Sequence, residues 1–106
     1  MENIKDVIIK PVLSVKQALK LMDETAKKIL FVADINNVIL GVVTDGDIRR
    51  WILKGKSLNK DISLVMNRMP FLLREDYLKE EAKKTMLSEG VECLPVVDKN
   101  GKIISA

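Results

Sequence analysis

Gly41-Val42-Val43-Thr44-Asp45-Gly46-Asp47-Ile48-Arg49-Arg50 is the stretch on which the reading of this chain turns. A short apolar run ends in a threonine, passes a glycine, and opens into Asp47-Ile48-Arg49-Arg50-Trp51-Ile52-Leu53. That order predicts a strand running directly into the N-terminus of a helix. The first N–H groups of a helix lack intrahelical partners, and its positive dipole end attracts anions. A hydroxyl (Thr44), a carboxylate (Asp47) and two guanidiniums (Arg49, Arg50) fall within one turn of that point, chemistry suited to a phosphate or a phosphorylated sugar. The same residues equally suit a plain helix start, with Thr44 as the cap, Asp47 in the first turn and the arginines solvated.

Working outward, Ile29-Leu30-Phe31-Val32-Ala33 reads as a buried strand, and Val38 to Val43 returns as a second. Asp34-Ile35-Asn36-Asn37 between them predicts a tight turn, because asparagine tolerates positive φ. Upstream, Val7-Ile8-Ile9 is a brief strand closed by Pro11. Ser14 is an N-cap for a helix carrying Val15, Ala18, Leu19, Met22 and Ala26 at helical spacing. The second helix spans about Asp45 to Leu53 with Ile48, Trp51 and Ile52 on its apolar side, so Trp51 is expected in a core or interface. Lys54 to Lys60 reads as a linker, Ile62 to Met66 as a short helix, and Pro70 as a break.

The residues after Pro70 repeat those before it. Adding 64 to a residue number reaches its counterpart without a gap: Ala18 and Ala82, Lys20 and Lys84, Met22 and Met86, Leu30 and Leu94, Val32 and Val96, Asp34 and Asp98, Asn36 and Asn100, Ile39 and Ile103. Chance agreement would not hold register across a helix and two turns. Each copy has too small a core to stand alone, so a pseudo-twofold pair packed sheet to sheet is expected. The shift carries Thr44 to position 108 and Asp47 to 111, past Ala106, so the chain is expected to be a fragment of something longer. The expected units are 1–60, with leading segment and linker, and 61–106, incomplete at its C-terminus.

Composition narrows the function classes. The 106 residues are 47% hydrophobic, 31% charged and only 4% aromatic, with a net charge of +3. These are the proportions of a globular domain with an aliphatic core. The chain has no histidine and one cysteine, Cys93, which excludes histidine-based catalysis, an internal disulfide and a cysteine-based zinc site. Leu94, Val96 and Val97 around Cys93 predict a buried thiol. No apolar run is long enough for a bilayer, Met1-Glu2-Asn3 does not open a signal peptide, and a cytoplasmic location is expected. A nucleic-acid surface built on Arg49, Arg50, Lys54, Lys56 and Lys60 would lack the aromatic groups that stack bases, and is not expected.

Gly41-x-x-Thr44-x-x-Asp47-Ile48, the repeat, and Leu94-Pro95-Val96-Val97-Asp98 before Asn100-Gly101 together resemble a CBS-domain pair, or Bateman module. The resemblance covers about Val7 to Ala106. It implies an α+β fold of tandem β-α-β-β-α units and adenosine-type ligands held in clefts between them. AMP, ADP, ATP or S-adenosylmethionine would act as a regulatory ligand, with no cofactor required and no catalysis by the pair itself. By the same resemblance, Asp47 would accept the ribose hydroxyls, and Thr44 would bind the ribose or first phosphate. Backbone near Ile9, with Ile29 and Pro95, would wall the base, and Lys28, Arg49 and Arg50 are candidates for the phosphates. Pro95 could instead only shape its strand.

The form Thr44-Asp45-Gly46-Asp47-Ile48-Arg49-Arg50 is similar to the pairs attached to sugar-phosphate enzymes. Met1 directly before Glu2-Asn3-Ile4-Lys5-Asp6 favours a pair that begins its protein, ahead of a sugar-phosphate nucleotidyltransferase domain. The alternative parent is an arabinose-5-phosphate isomerase. Family members commonly stack through their helices, and Leu19, Met22, Trp51 and Ile52 could form such a homodimer face or lie in the core. The competing reading is a structural or oligomerising module with a vestigial cleft.

Overall fold

In the computed structural model, residues 4–91 and 93–106 are described; Met1, Glu2, Asn3 and Glu92, including the opening residues read above as the start of a protein, lie outside them. The first unit runs through a 3-10 turn at Ile4–Val7, strand β1 (Ile8–Ile9), helix α1 (Val15–Thr25), strands β2 (Ile29–Ala33) and β3 (Ile39–Thr44), and helix α2 (Asp45–Leu53). The second has β4 (Leu73–Arg74), α3 (Lys79–Glu89), β5 (Val96–Val97) and β6 (Ile103–Ser105). Each unit forms one three-stranded sheet, β1-β2-β3 and β4-β5-β6, with the first pair parallel and the second antiparallel. The expected α+β fold of tandem units is the fold observed.

The 64-residue shift survives into atomic detail. Ile9 pairs with Val32, and Leu73 with Val96; Val32 pairs with Gly41, and Val96 with Ser105. Even the register break between Val32 and Ala33 recurs between Val96 and Val97. Both hairpins close on an aspartate. Asp34 Oδ1 accepts the N–H groups of Asn36 and Val38, and Asp98 Oδ1 accepts those of Asn100 and Lys102, at 2.8 and 3.0 Å in each case. Each turn then needs a residue at positive φ, supplied by Asn37 (65°) and Gly101 (82°).

The two hairpins meet each other. Ile39 N–H donates to the Gly101 carbonyl and Ile103 N–H to the Asn37 carbonyl, both at 3.0 Å. The shift of 64 exchanges these two bonds, as a pseudo-twofold axis requires. One apolar core spans both units, joining Val15, Leu30, Phe31, Val43 and Ile48 of the first to Val97 and Ile103 of the second.

Several boundaries differ from expectation. Val7 belongs to the 3-10 turn rather than to β1, and Val38 makes only a bridge to Lys102. Ile62–Leu64 is a 3-10 turn whose Ile62 is fully buried, and Cys93 is half-buried rather than buried. The stretch read as a linker is tied to the first unit: Val15 N–H donates to the Lys60 carbonyl and Lys16 N–H to that of Leu58, both at 2.9 Å. Trp51 is half-buried, donating through Nε1 to the Ser57 carbonyl (2.8 Å) beneath the Lys56 ammonium.

The repeat is unequal at its helices. α1 buries Val15, Ala18 and Met22 and starts with a capping box, in which Ser14 Oγ accepts Gln17 N–H while Gln17 Oε1 accepts Ser14 N–H. α3 buries Ala82 alone, and Leu78 caps it with no side-chain bond. Its third helical residue is Glu81, so Leu78→Ser would create the box that Ser14 makes. Chemical denaturation should show Leu78→Ser raising stability by about 0.5–1 kcal/mol and Ser14→Ala lowering it by about 1 kcal/mol. Gly41 offers a contrasting case. A Cβ there would lie 2.7 Å from the Asn67 carbonyl oxygen and 2.8 Å from Met66 Sδ. Gly41→Ala should therefore cost about 1–3 kcal/mol in the same assay.

Candidate functional site

Strand β3 delivers Thr44 directly to the start of α2. Thr44 is extended (φ −110°, ψ 166°) and is the N-cap. Its Oγ1 accepts the Asp47 N–H at 3.2 Å, and Asp47 Oδ2 returns the bond by accepting the Thr44 N–H at 2.9 Å. The Asp45 N–H, another orphan of the helix start, donates to the Lys28 carbonyl at 3.0 Å. The helix-start reading of this turn is thus fully realised. It leaves the second oxygen of Asp47 to Arg50, whose Nη2 lies 2.7 Å from Oδ1. Arg49 pairs more loosely, 3.8 Å from Asp45.

The turn opens on a cleft between the two units. An apolar lobe of about 140 Å³ is lined by Ile29, Val42, Thr44 and Asp47 of the first unit, and by Pro70, Phe71, Val91, Leu94 and Pro95. Beside it, and sharing Ile29, Thr44, Glu89 and Val91 with it, lies a polar lobe of about 320 Å³ that adds Lys28, Asp45, Gly46 and Arg50. Thr44 is therefore where the two lobes join. The site can hold a flat apolar group on one side, accept hydrogen bonds at its centre, and hold an anion on the other side against Lys28 and Arg50.

Of the residues singled out from sequence, Thr44, Asp47, Ile29 and Pro95 line the apolar lobe, and Lys28 lines the polar one. Ile9 does not line either lobe: it is buried in β1 opposite Val32, within the shared core. Arg49 is also outside both, turned to Asp45 in solvent. The wall expected near Ile9 is instead supplied across the pseudo-twofold by Pro70 and Phe71, just ahead of Leu73, the counterpart of Ile9. The repeat held that signal, since a site between related units takes its turn from one and its wall from the other. Among the described residues no group of acidic, cysteine or histidine side chains could hold a metal ion, and no helix is long and apolar enough to cross a membrane.

Similar proteins agree with this architecture. Among curated proteins, the arabinose 5-phosphate isomerase GutQ of Salmonella typhi is 33% identical over 93 residues, which make up 88% of this chain and 29% of that protein. The chain thus spans less than a third of the length of that isomerase. A relative that is an isomerase gives no support to the expected nucleotidyltransferase parent. Among solved structures, CBSX2 of Arabidopsis thaliana in complex with AMP superposes with a TM-score of 0.77 at 32% identity, over 92% of this chain and 77% of that one. Staphylococcus aureus OpuCA superposes with a TM-score of 0.69 at 26% identity, over 92% and 80%. The CBS domain model itself matches twice, at residues 3–54 and 60–105. With two matches in tandem, a repeat kept down to its hairpin bonds, and a cleft where the copies meet, the chain belongs to the CBS domain family as a CBS pair.

Proposed function

We propose that this CBS pair is a regulatory sensor whose cleft takes an adenine nucleotide or a related adenosyl ligand. The observation that carries the reading is the meeting, in one cleft, of the Thr44–Asp47 turn with an apolar wall from the other unit. In this reading the base lies between Ile29 and the wall of Phe71, Leu94 and Pro95. Asp47 keeps about two of its four lone-pair sites for the adjacent ribose hydroxyls, and the Thr44 hydroxyl meets the ribose or first phosphate. The polar lobe receives the phosphate near Lys28. The AMP complex of CBSX2, 32% identical to this chain, supports the ligand class.

Because the turn and the wall belong to different units, a bound ligand favours the arrangement that brings both into contact with it. That differential affinity is the lever of regulation. The regulated partner is an enzyme of sugar phosphates in the longer protein, and the relationship to GutQ favours an isomerase there over a nucleotidyltransferase. Two pairs associate through α1 and α2, on which Leu19, Ile52 and Leu53 are exposed.

The competing structural reading rests on the small volume of the apolar lobe, about 140 Å³, into which the base would have to fit. Titration calorimetry and thermal unfolding with AMP, ADP, ATP and S-adenosylmethionine separate the two. A ligand at a hundredfold excess over its Kd should raise Tm by roughly 10 °C or more. Asp47→Ala should abolish that rise while retaining the circular dichroism of the fold. If none of the four ligands gives heat or a Tm rise, the module is structural.

A further inference from the structure

Two arginines follow Asp47 in sequence, and the structure gives them different places. Arg49 lies outside both lobes and pairs with Asp45 at 3.8 Å. Arg50 lines the polar lobe and is bonded at 2.7 Å to Asp47, the carboxylate that lines the apolar one. The side chain of Arg50 is 65% exposed and that of Asp47 22%, and the 2.7 Å contact joins them across one helical turn. The other charged groups facing the polar lobe are Lys28, Asp45 and Glu89. Asp45 is paired with Arg49, so Lys28 and Arg50 are the cations that line this lobe.

We infer that Arg50 makes the cleft select a phosphorylated adenosyl ligand over its uncharged nucleoside, with Asp47 aiming the guanidinium. The inference rests on the sensor reading. A guanidinium presents five donors in a rigid fork, so one edge can stay on Asp47 Oδ1 while the other meets a phosphate. The carboxylate that accepts the ribose hydroxyls thereby also places the cation that reads the phosphate. Sugar and phosphate recognition become coupled through one side-chain pair. A lysine at position 50 keeps the charge but has no planar fork to bridge both groups.

Calorimetric titration of the full chain with AMP and with adenosine tests the assignment, using wild type, Arg50→Ala, Arg50→Lys and Arg49→Ala. Arg50→Ala should lower the AMP-over-adenosine preference about five- to tenfold, at the lower end for a charged hydrogen bond because the group is solvated. Adenosine affinity should stay within twofold of wild type. Arg50→Lys should recover only part of the preference, and Arg49→Ala should leave it unchanged. Equal losses in Arg49→Ala and Arg50→Ala, or no loss in Arg50→Ala, overturn the role of Arg50 and leave the sensor reading standing. A wild-type chain that binds neither compound nor any of the other adenine ligands overturns both.

Discussion

Everything in this molecule depends on a pair of reciprocal hydrogen bonds, Ile39 N–H to Gly101 and Ile103 N–H to Asn37. They join two hairpin ends that would otherwise be exposed strand edges. Each acceptor belongs to the residue held at positive φ, so the turn that shapes a hairpin also presents its carbonyl to the other unit. The apolar core continues across this seam, where Val97 and Ile103 join the buried residues of the first unit. So does the cleft, whose turn and wall come from opposite sides. The seam is nearly symmetric. Asn37 Nδ2 adds a bond to the Ile103 carbonyl at 3.1 Å, and glycine at 101 has no side chain to answer it.

In the Thr44–Asp47 turn the helix cap and the proposed binding device share atoms. Thr44 Oγ1 and Asp47 Oδ2 are already engaged in closing the helix start. That engagement holds both side chains where they line the cleft and reduces the ordering cost of any binding there. The two readings of this turn, helix cap and ligand site, therefore do not exclude one another. The cap is what makes the site rigid.

Much of the fold was legible in the sequence, and for a physical reason. A repeat without gaps fixes register twice over, so Ile9 with Val32 and Leu73 with Val96 both come from one alignment. α2 begins at Asp45 and ends at Leu53, as Thr44 and the apolar spacing require. On the side where chemistry is concentrated in a short motif, the two residues read from sequence, Thr44 and Asp47, do line the cleft. The backbone near Ile9, expected as a wall, instead pairs with β2, and Ile9 lies outside the cleft lining. Local sequence did not separate Arg49 from Arg50, which the helix turns to different carboxylates. Phe71 and Pro70 escaped notice because their role comes from packing across the twofold, through contacts remote in sequence.

The inequality of α1 and α3 carries a consequence for how the module works. α3 lacks a side-chain cap and buries only Ala82 among its side chains, yet its last residue, Glu89, and Val91 just beyond it form part of the cleft. The cleft thus rests on the capped turn at Thr44 and on Pro70, Phe71, Leu94 and Pro95, with Glu89 standing at the end of the weakly anchored α3. Local opening draws first on such weakly held elements. In the proposed function, a guest touching both the capped turn and the end of α3 would make the two units unfold more nearly together.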